Sequence, residues 1–574
     1  MRRSIASVVA AVSCSAAAGQ VSFTNVSAQA GLTGGVWPPA GVRGSLAVDV
    51  NEDGWVDLYF PINVYFNVDR FFLNDGDGTY TEQFGAWGAV DIQRTESSLM
   101  FDQDGDGKLD LILANVAPSG DASLRVLRQD AAAPLFNDVT ATSGLDFVLP
   151  GPGVPTGMAA VDLDGDDDLD LALGSWWGND IGTSSIDLLC QNEGAGTFHE
   201  AGAAGGLEPG SRTWQYHAAD FDLDGAVDLF ASQDSFDHSR LYRNIGPWSL
   251  DDVGLASGVT GLAPDMGIAV GDYDNDGDFD VYVTDITISV PACNTQQPAG
   301  LNRLFRNELV PSGTLGFTEV ANTAGVANVG YSWGCVWLDY DNDGDLDLAA
   351  ASQDCESRLF RNDGAGGFQS VGASLGFSPS VSGGGLVALD HDRDGDLDLL
   401  LVDSHGPPLL YRNDGGNLNN WIVVKPVGKP GAAHGVGAKV WLDDGVRNQL
   451  RQITAGSSFL SQEPLEAHFG LGQVGVVPSI LVEWPDGAVT QLTDVAANQI
   501  VEARHPDAPT PVVCHGDLNG DGATDVFDFS SLAAAFGAGP GDTHWDPAAD
   551  LVPDGSIDVF DFSALAADFG CAGD

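Results

Sequence analysis

The stretch Asp272–Asp280, DYDNDGDFD, has carboxylates at its first, third, fifth and ninth places and a glycine, Gly277, at its sixth. Alternate acids ahead of a turn that glycine permits bring several oxygens to one point. A hard cation such as Ca2+, which takes six to eight oxygen ligands, needs that donor set. Side chains supplying it here are Asp272, Asp274, Asp276 and Asp280, and the seventh place, Asp278, adds a backbone carbonyl.

Six related stretches occur elsewhere. In chain order they offer Asp49, Asn51, Asp53 and Asp57 with the Trp55 carbonyl; Asp102, Asp104, Asp106 and Asp110 with Lys108; Asp162, Asp164, Asp166 and Asp170 with Asp168; and Asp220, Asp222, Asp224 and Asp228 with Ala226. After the Asp272 stretch come Asp339, Asp341, Asp343 and Asp347 with Asp345, then Asp390, Asp392, Asp394 and Asp398 with Asp396. Asp167 replaces the glycine in the third loop, which predicts a strained turn there. Plain polar hairpin turns would need Asp, Asn and Gly but not four acids in register, and those like charges repel unless a cation lies among them. Helix-flanked calcium loops are excluded, since apolar strand-like residues follow and Val283 stands at the twelfth place.

These loops recur 51 to 67 residues apart. Each is followed by a short apolar run (DLYF, DLILA, DLALG, DLFAS, DVYV, DLAAA, DLLLV), then by a phrase such as LYRN (Leu241 to Asn244) and Gly-rich turn residues. One four-stranded sheet per repeat fits this order. Seven sheets predict a mainly β fold with a seven-bladed β-propeller; a linear β-solenoid is the alternative. The opening phrase FTNVSAQAGL (Phe23 to Leu32) matches the phrases that elsewhere follow LYRN, and the last LYRN (Leu410 to Asn413) lacks one. The N-terminal strand is therefore expected to complete the seventh sheet and remove two open edges.

With these features, residues 20–414 resemble the FG-GAP or VCBS repeats of integrin α-chain propellers and of many bacterial secreted proteins. That resemblance implies a calcium-studded propeller. HGVGAKVWLDDG (His434 to Gly445), ITAGSSFLSQEPLEAHFGLG (Ile453 to Gly472) and ILVEWPDG (Ile480 to Gly487) resemble the ASPIC/UnbV domain across 415–504, a pairing found in the cartilage acidic protein family. The resemblance implies a small β-rich module. His434, His468, Lys439 and Glu463 within it form no arrangement of nucleophile, base and orienter, and read as surface or packing residues.

RHPDAPTPVV marks a Pro-rich linker at 505–513. Residues 514–574 hold two tandem phrases, DLNGDGATDVFDFSSLAAAFG and DLVPDGSIDVFDFSALAADFG, each an acidic loop followed by apolar residues at helical spacing: Phe529, Leu532, Ala533 and Phe536, then Phe562, Leu565, Ala566 and Phe569. Gly537 and Gly570 are placed to cap these helices. The pair resembles a dockerin, a small α-helical calcium-dependent module that plugs into cohesins. Its first loop supplies Asp517, Asn519, Asp521, the Ala523 carbonyl, Asp525 and Asp528. Its second supplies Asp550, Asp554, Asp558 and Asp561, with Val552 in the third ligand place. The places that read cohesin in that family hold Val526-Phe527 and Val559-Phe560 here, which implies an apolar docking face. A self-contained helical hairpin is the alternative.

The chain has 574 residues, 82 acidic and 23 basic, for a net charge of −59. Such charge suggests disorder, yet 43% hydrophobic residues and 13 Trp argue for packed structure. A nucleic-acid role is excluded for want of a basic footprint. Arg2, Arg3, the apolar run Ile5 to Val12 and Ala16 to Ala18 read as a signal peptide over 1–18, with lipid anchoring at Cys14 the alternative, so a secreted or envelope location is expected. No other apolar run is long enough to span a membrane. Six cysteines remain after cleavage: Cys190, Cys293, Cys335, Cys355, Cys514 and Cys571. In an oxidising compartment they permit disulfides, Cys514 with Cys571 first and Cys335 with Cys355 second.

The functional expectation is a non-catalytic, calcium-binding adhesion scaffold with about one Ca2+ per propeller sheet and one or two in the tail. Its ligand would be an extracellular protein or glycan, met by the loops between calcium sites, and a cohesin-like partner would take the tail. The alternative is a dockerin-bearing enzyme that degrades polysaccharide, or its accessory subunit; its paired acids would be indistinguishable among so many calcium carboxylates.

Overall fold

The computed structural model describes most of residues 21–569; outside the description lie 1–20, 570–574 and internal stretches, chiefly 147–153, 177–186, 208–211, 288–301 and most of 510–525. The expectations for the signal segment, Cys14, Cys293, Cys514, Cys571, Gly570 and the tail ligands Asp517, Asn519, Asp521, Ala523 and Asp525 fall on these residues. The described chain divides into two compact units, Met1–Asp507 and Ala508–Asp574.

The chain is mainly β. Among the described residues, the first unit contains seven four-stranded antiparallel sheets of one pattern, in which each acidic loop is the hairpin between the first and second strands. In the fourth sheet, for example, Thr213–Ala219 runs into the loop, Asp228–Gln233 returns, and Arg240–Asn244 and Leu250–Asp252 complete the ladder. The strands after the loops are buried on both faces, which explains why they read as continuous apolar runs rather than alternating ones.

Each sheet shares an apolar layer with the next. Leu171 and Leu173 of the third pack with Ile112 of the second, Leu229 and Tyr242 of the fourth with Ala172 of the third, and Val387 and Leu400 of the seventh with Leu58 and Phe60 of the first. The last of these layers closes a ring, consistent with a β-propeller of repeats, and excludes the linear alternative. Closure is also built into the ladder: Ser22–Asn25 pairs with Leu409–Asp414 as the seventh sheet's outer strand, with Phe23 opposite Asn413. Gly376 locks that strand down. Its φ is +94°, and a Cβ there would lie 2.4 Å from the Phe23 carbonyl oxygen, so only glycine fits.

Residues from Asn420 onward form two further sheets. One has Asn420–Val427 between Ala467–Gly472 and Gln499–Arg504, the latter parallel to it. The other orders Asn448–Gln452, Lys439–Asp443, Val476–Glu483 and Val489–Ala496. Ile422, Val440, Phe469, Ile480 and Trp484 form the core between them. His505 packs edge-on to Trp484, and the first compact unit runs to Asp507.

In the second unit, helices Val526–Ala535 and Val559–Asp568 pack through Leu532, Ala535, Ile557 and Leu565. Phe529 and Phe562 meet edge to face with centroids 4.6 Å apart. The expected apolar stripe is only partly buried: Ala533 and Ala566 face solvent, and Phe529, Phe536 and Phe569 stay largely exposed, because a hairpin this small has one thin buried seam.

Candidate metal centre

The seven loops of the ring share one hydrogen-bond scheme. In each, the N–H of the sixth residue donates to the first-place carboxylate, from Gly54 on Asp49 at 3.0 Å to Gly395 on Asp390 at 3.0 Å. The N–H of the seventh residue donates to the fifth-place carboxylate: Trp55 on Asp53, Lys108 on Asp106, Asp168 on Asp166, Ala226 on Asp224, Asp278 on Asp276, Asp345 on Asp343 and Asp396 on Asp394. The third loop adopts the same turn without glycine, and Asp167 carries the strained φ of +74° that its sequence predicted.

The ninth-place aspartate is a clamp. Asp228 Oδ2 accepts from Phe221 N at 3.1 Å and its Oδ1 from Asn244 N at 2.7 Å, tying the start of the loop to the third strand. Asp57, Asp110, Asp170, Asp280, Asp347 and Asp398 do the same.

These arrangements bring the expected ligands together. Single oxygens of Asp102, Asp104 and Asp110 lie within 4.8 Å of one another, as do those of Asp162, Asp164 and Asp166, of Asp220, Asp222 and Asp228, and of Asp272, Asp274 and Asp276. In the seventh loop the group is His391, Asp392 and Asp398. His391 was not among the expected ligands; its Nδ1 is 2.5 Å from Asp398 Oδ2. The signal was a histidine at the second place, where the other loops carry Val50, Gln103, Leu163, Phe221, Tyr273 and Tyr340. Burial alone would lower its pKa, but the Asp398 hydrogen bond and nearby carboxylates hold it above the ordinary value.

The electrostatics favour a cation. Burial first, then neighbouring carboxylates, pushes Asp57, Asp110, Asp170 and Asp228 up to about 8 and Asp102 up to about 7. Buried carboxylate oxygens without a hydrogen-bond partner occur at Asp49, Asp164, Asp274, Asp341 and Asp392. Asp278 and Asp396, expected to give only carbonyls, also bury their carboxylates fully and leave one oxygen of each unpaired. Unsatisfied buried oxygens are costly, and a divalent ion is the ligand that this donor set fits.

The module from Asn420 onward lies on this acidic face. Lys425 Nζ is 3.2 Å from Asp49 Oδ2, Lys429 Nζ 2.8 Å from Asp167 Oδ2, Lys439 Nζ 2.5 Å from Asp220 Oδ2 and Arg447 Nη1 3.2 Å from Asp345 Oδ1. Lys439 is thus an ion-pair residue of the ring rather than a packing residue. His434 and His468, each pushed down to about 4 by burial of their rings, and Glu463, raised by burial to about 7, lie half-buried at the same junction.

From this module the segment Ala455–Gln462 enters the middle of the ring and touches the first strand of all seven sheets. It bridges to Leu46, Ala160 and Ile268, exchanges two hydrogen bonds between the Gln462 amide and the Met100 backbone, and donates Leu460 N to Gln215 Oε1 at 3.0 Å. Phe459 packs on Trp333 with centroids 5.0 Å apart, and Ser458 Oγ accepts from Leu386 N at 3.4 Å.

Two cysteines correct an expectation. Cys335 is a free, buried thiol, so it forms no bridge to Cys355, which is disulfide-bonded elsewhere. Cys335 lies inside the strand Ser332–Leu338 with its Sγ 3.9 Å from the Tyr282 carbonyl, facing the layer between the fifth and sixth sheets rather than the loop that carries Cys355.

In the second unit Asp550 accepts from Asp554 N and Gly555 N in the manner of the ring loops. Asp558 and Asp561 form a capping box on the second helix, and Asp561 Oδ1 also accepts from Val552 N at 2.8 Å, as Asp528 Oδ1 does from Leu518 N. Val526, Phe527, Val559 and Phe560 are all more than half exposed.

Family comparison matches residues 428–510 to the ASPIC and UnbV family and residues 102–173, 220–283 and 339–401 to the FG-GAP-like repeat. The chain carries FG-GAP-like repeats and an ASPIC/UnbV domain. Over most of its length it is homologous to cartilage acidic protein 1: the human protein is 25% identical over 523 residues, covering 82% of this chain, and the mouse protein 26% over 509 residues, covering 81%. The chain spans 65% of the human relative's length and 64% of the mouse relative's. Two crystal structures of BBS1N in complex with ARL6DN, one soaked with mercury and one with lead, align at 12% identity over 65% of this chain and 93% of theirs, with a TM-score of 0.39, too loose to bear on the fold. The plug Ala455–Gln462 and the lysines that reach the ring all belong to the stretch around and within the UnbV domain. Among the described residues no helix is long and apolar enough to cross a membrane.

Proposed function

We propose that this is a secreted, non-catalytic binding protein whose FG-GAP ring is held by Ca2+ in its acidic loops. The observation that carries the reading is the pairing of convergent carboxylates with buried, unpartnered oxygens in loop after loop. Coordination would fall to the first-, third-, fifth- and ninth-place side chains. The ion would supply charge neutralisation and cross-linking of the hairpin; the chain's own residues already supply the turn. Ligands would then be met on the ring's other loops, away from the face that the UnbV domain covers.

The relatives are named for cartilage and acidity, and a charge of −59 is in keeping with the second word. The two-helix tail, with Val526, Phe527, Val559 and Phe560 exposed at the starts of its helices, suits an apolar docking contact made in calcium.

The test is thermal. A ligand that binds only the native state raises its stability by mass action, so excess Ca2+ should raise the melting temperature and EGTA should lower it. An identical melt in both would refute the calcium reading.

A further inference from the structure

The seven loops are not equivalent as cation sites. In the fourth, every carboxylate oxygen already has a partner. Asp220 Oδ1 accepts from Asp224 N at 3.1 Å, and its Oδ2 accepts from Gly225 N at 3.0 Å and from Lys439 Nζ at 2.5 Å. Asp222 Oδ1 accepts from Asp224 N and its Oδ2 pairs with the Arg243 guanidinium. Asp224 Oδ1 accepts from Ala226 N, and its Oδ2 from Arg243 Nη2 at 3.0 Å. Asp228 is clamped at both oxygens. Loops one, three, five, six and seven each retain an unpaired buried carboxylate oxygen; the second and fourth retain none. Of these two the fourth is the one with an ammonium on its first-place aspartate, Asp102 being held by backbone N–H groups.

Lys439 is placed there by backbone. It sits in the strand Lys439–Asp443 opposite Gln452, whose Oε1 accepts from Asp220 N at 3.2 Å, so both members of one cross-strand pair grip the same aspartate. Its side chain is 10% exposed, with Glu483 3.7 Å away on the other side. Lys425 at the first loop is a different case: its side chain is 36% exposed, and Asp49 Oδ1 stays unpaired.

We infer that the fourth loop takes no metal, and that the Lys439 ammonium serves there as a built-in cation that fastens the UnbV domain to the ring. Lys439 holds Asp220 Oδ2 from a buried position, and Arg243 takes the outward oxygens of Asp222 and Asp224. The inference rests on the calcium reading of the other loops.

Calcium bound per full-length chain, counted by emission spectrometry after gel filtration at about 1 mM free Ca2+, tests it. Asp222→Asn should leave the count unchanged, whereas Asp274→Asn, its counterpart in the fifth loop, should lose one ion. Lys439→Met should gain one. Reductive methylation of the unaltered protein should spare Lys439 equally in Ca2+ and in EGTA, a readout that needs no variant to fold. Loss of an ion in Asp222→Asn, or modification of Lys439 in Ca2+ alone, would overturn the inference while leaving calcium in the other loops intact. An unaltered protein without calcium would overturn both.

Discussion

The side-chain amide of Asn74 donates to the backbone carbonyl of His391 at 2.9 Å, across 317 residues of sequence. It joins the first sheet to the loop of the seventh and so closes the ring. The same hook recurs between each sheet and the loop before it: Gln129 to Val50, Asn192 to Gln103, Asn244 to Leu163, Asn307 to Phe221, Asn362 to Tyr273 and Asn413 to Tyr340. The hooked carbonyl belongs to the second place of the acidic loop, whose N–H is held by the ninth-place aspartate. Loop, third strand and neighbouring sheet are therefore one linked unit, and loosening a metal site would loosen the joint between sheets.

Removing a hook should cost stability at whichever joint it is cut. Asn74→Ala leaves the His391 carbonyl buried without its donor, a loss of about 1–3 kcal/mol. Asn244→Ala should cost a similar amount, because the geometry at Leu163 is the same. Thermal melts of both variants check this; an unchanged melting temperature would mean that the hooks do not bear on the ring.

Stability should also depend on pH, with a sign that calcium alters. Asp57, Asp110, Asp170 and Asp228 stand at about 8 in the folded chain against an ordinary value near 4. Without metal the folded state binds more protons, so their contribution is full below about pH 4 and is lost as pH rises through about 8. In EGTA the melting temperature should therefore fall between pH 5 and pH 8. In Ca2+ the ionised forms are favoured, so the gap between the two melting curves should widen as pH rises. A gap that narrows would contradict this.

Repeat period, acidic register and the N-terminal strand's place were legible because each has a sequence signature that local chemistry enforces. DxDxDG fixes a turn, and an orphan FTNV phrase must pair somewhere. The Asn of LYRN was visible as a repeat, but its partner lies in another sheet, and no local rule assigns it. Lys439 and the Ala455–Gln462 plug were opaque for the same reason: their contacts lie more than 200 residues away, with Asp220 and Gln215. Cys335 was misread because a cysteine's spacing says nothing of which face of a strand it occupies.

The plug depends on one backbone geometry. Gly456 has φ +98°, and a Cβ there would lie 2.2 Å from the Met158 carbonyl oxygen, a backbone atom that cannot turn aside. Gly456→Ala should cost on the order of 2 kcal/mol or more and unseat the segment. Limited proteolysis reads the effect: cleavage near Phe459 should appear in the variant and be absent from the parent.

Truncation separates the two roles of the C-terminal half. A chain ending at Asp507 keeps the whole first unit and should melt as the parent does. A chain ending at Asp414 loses the UnbV domain, the plug and the lysines on Asp49, Asp167 and Asp220. Trp214, 6% exposed and packed on Phe459, would then face an open channel along with Met266. Burial of such side chains is worth about 1.5–3 kcal/mol each, so the shorter chain should melt well below the parent and bind a hydrophobic dye such as ANS. Loss of the lysines on Asp49, Asp167 and Asp220 would also make its folding depend more steeply on Ca2+. If instead it melts with the parent and excludes the dye, the ring is self-sufficient and the UnbV domain is cargo on it rather than its hub.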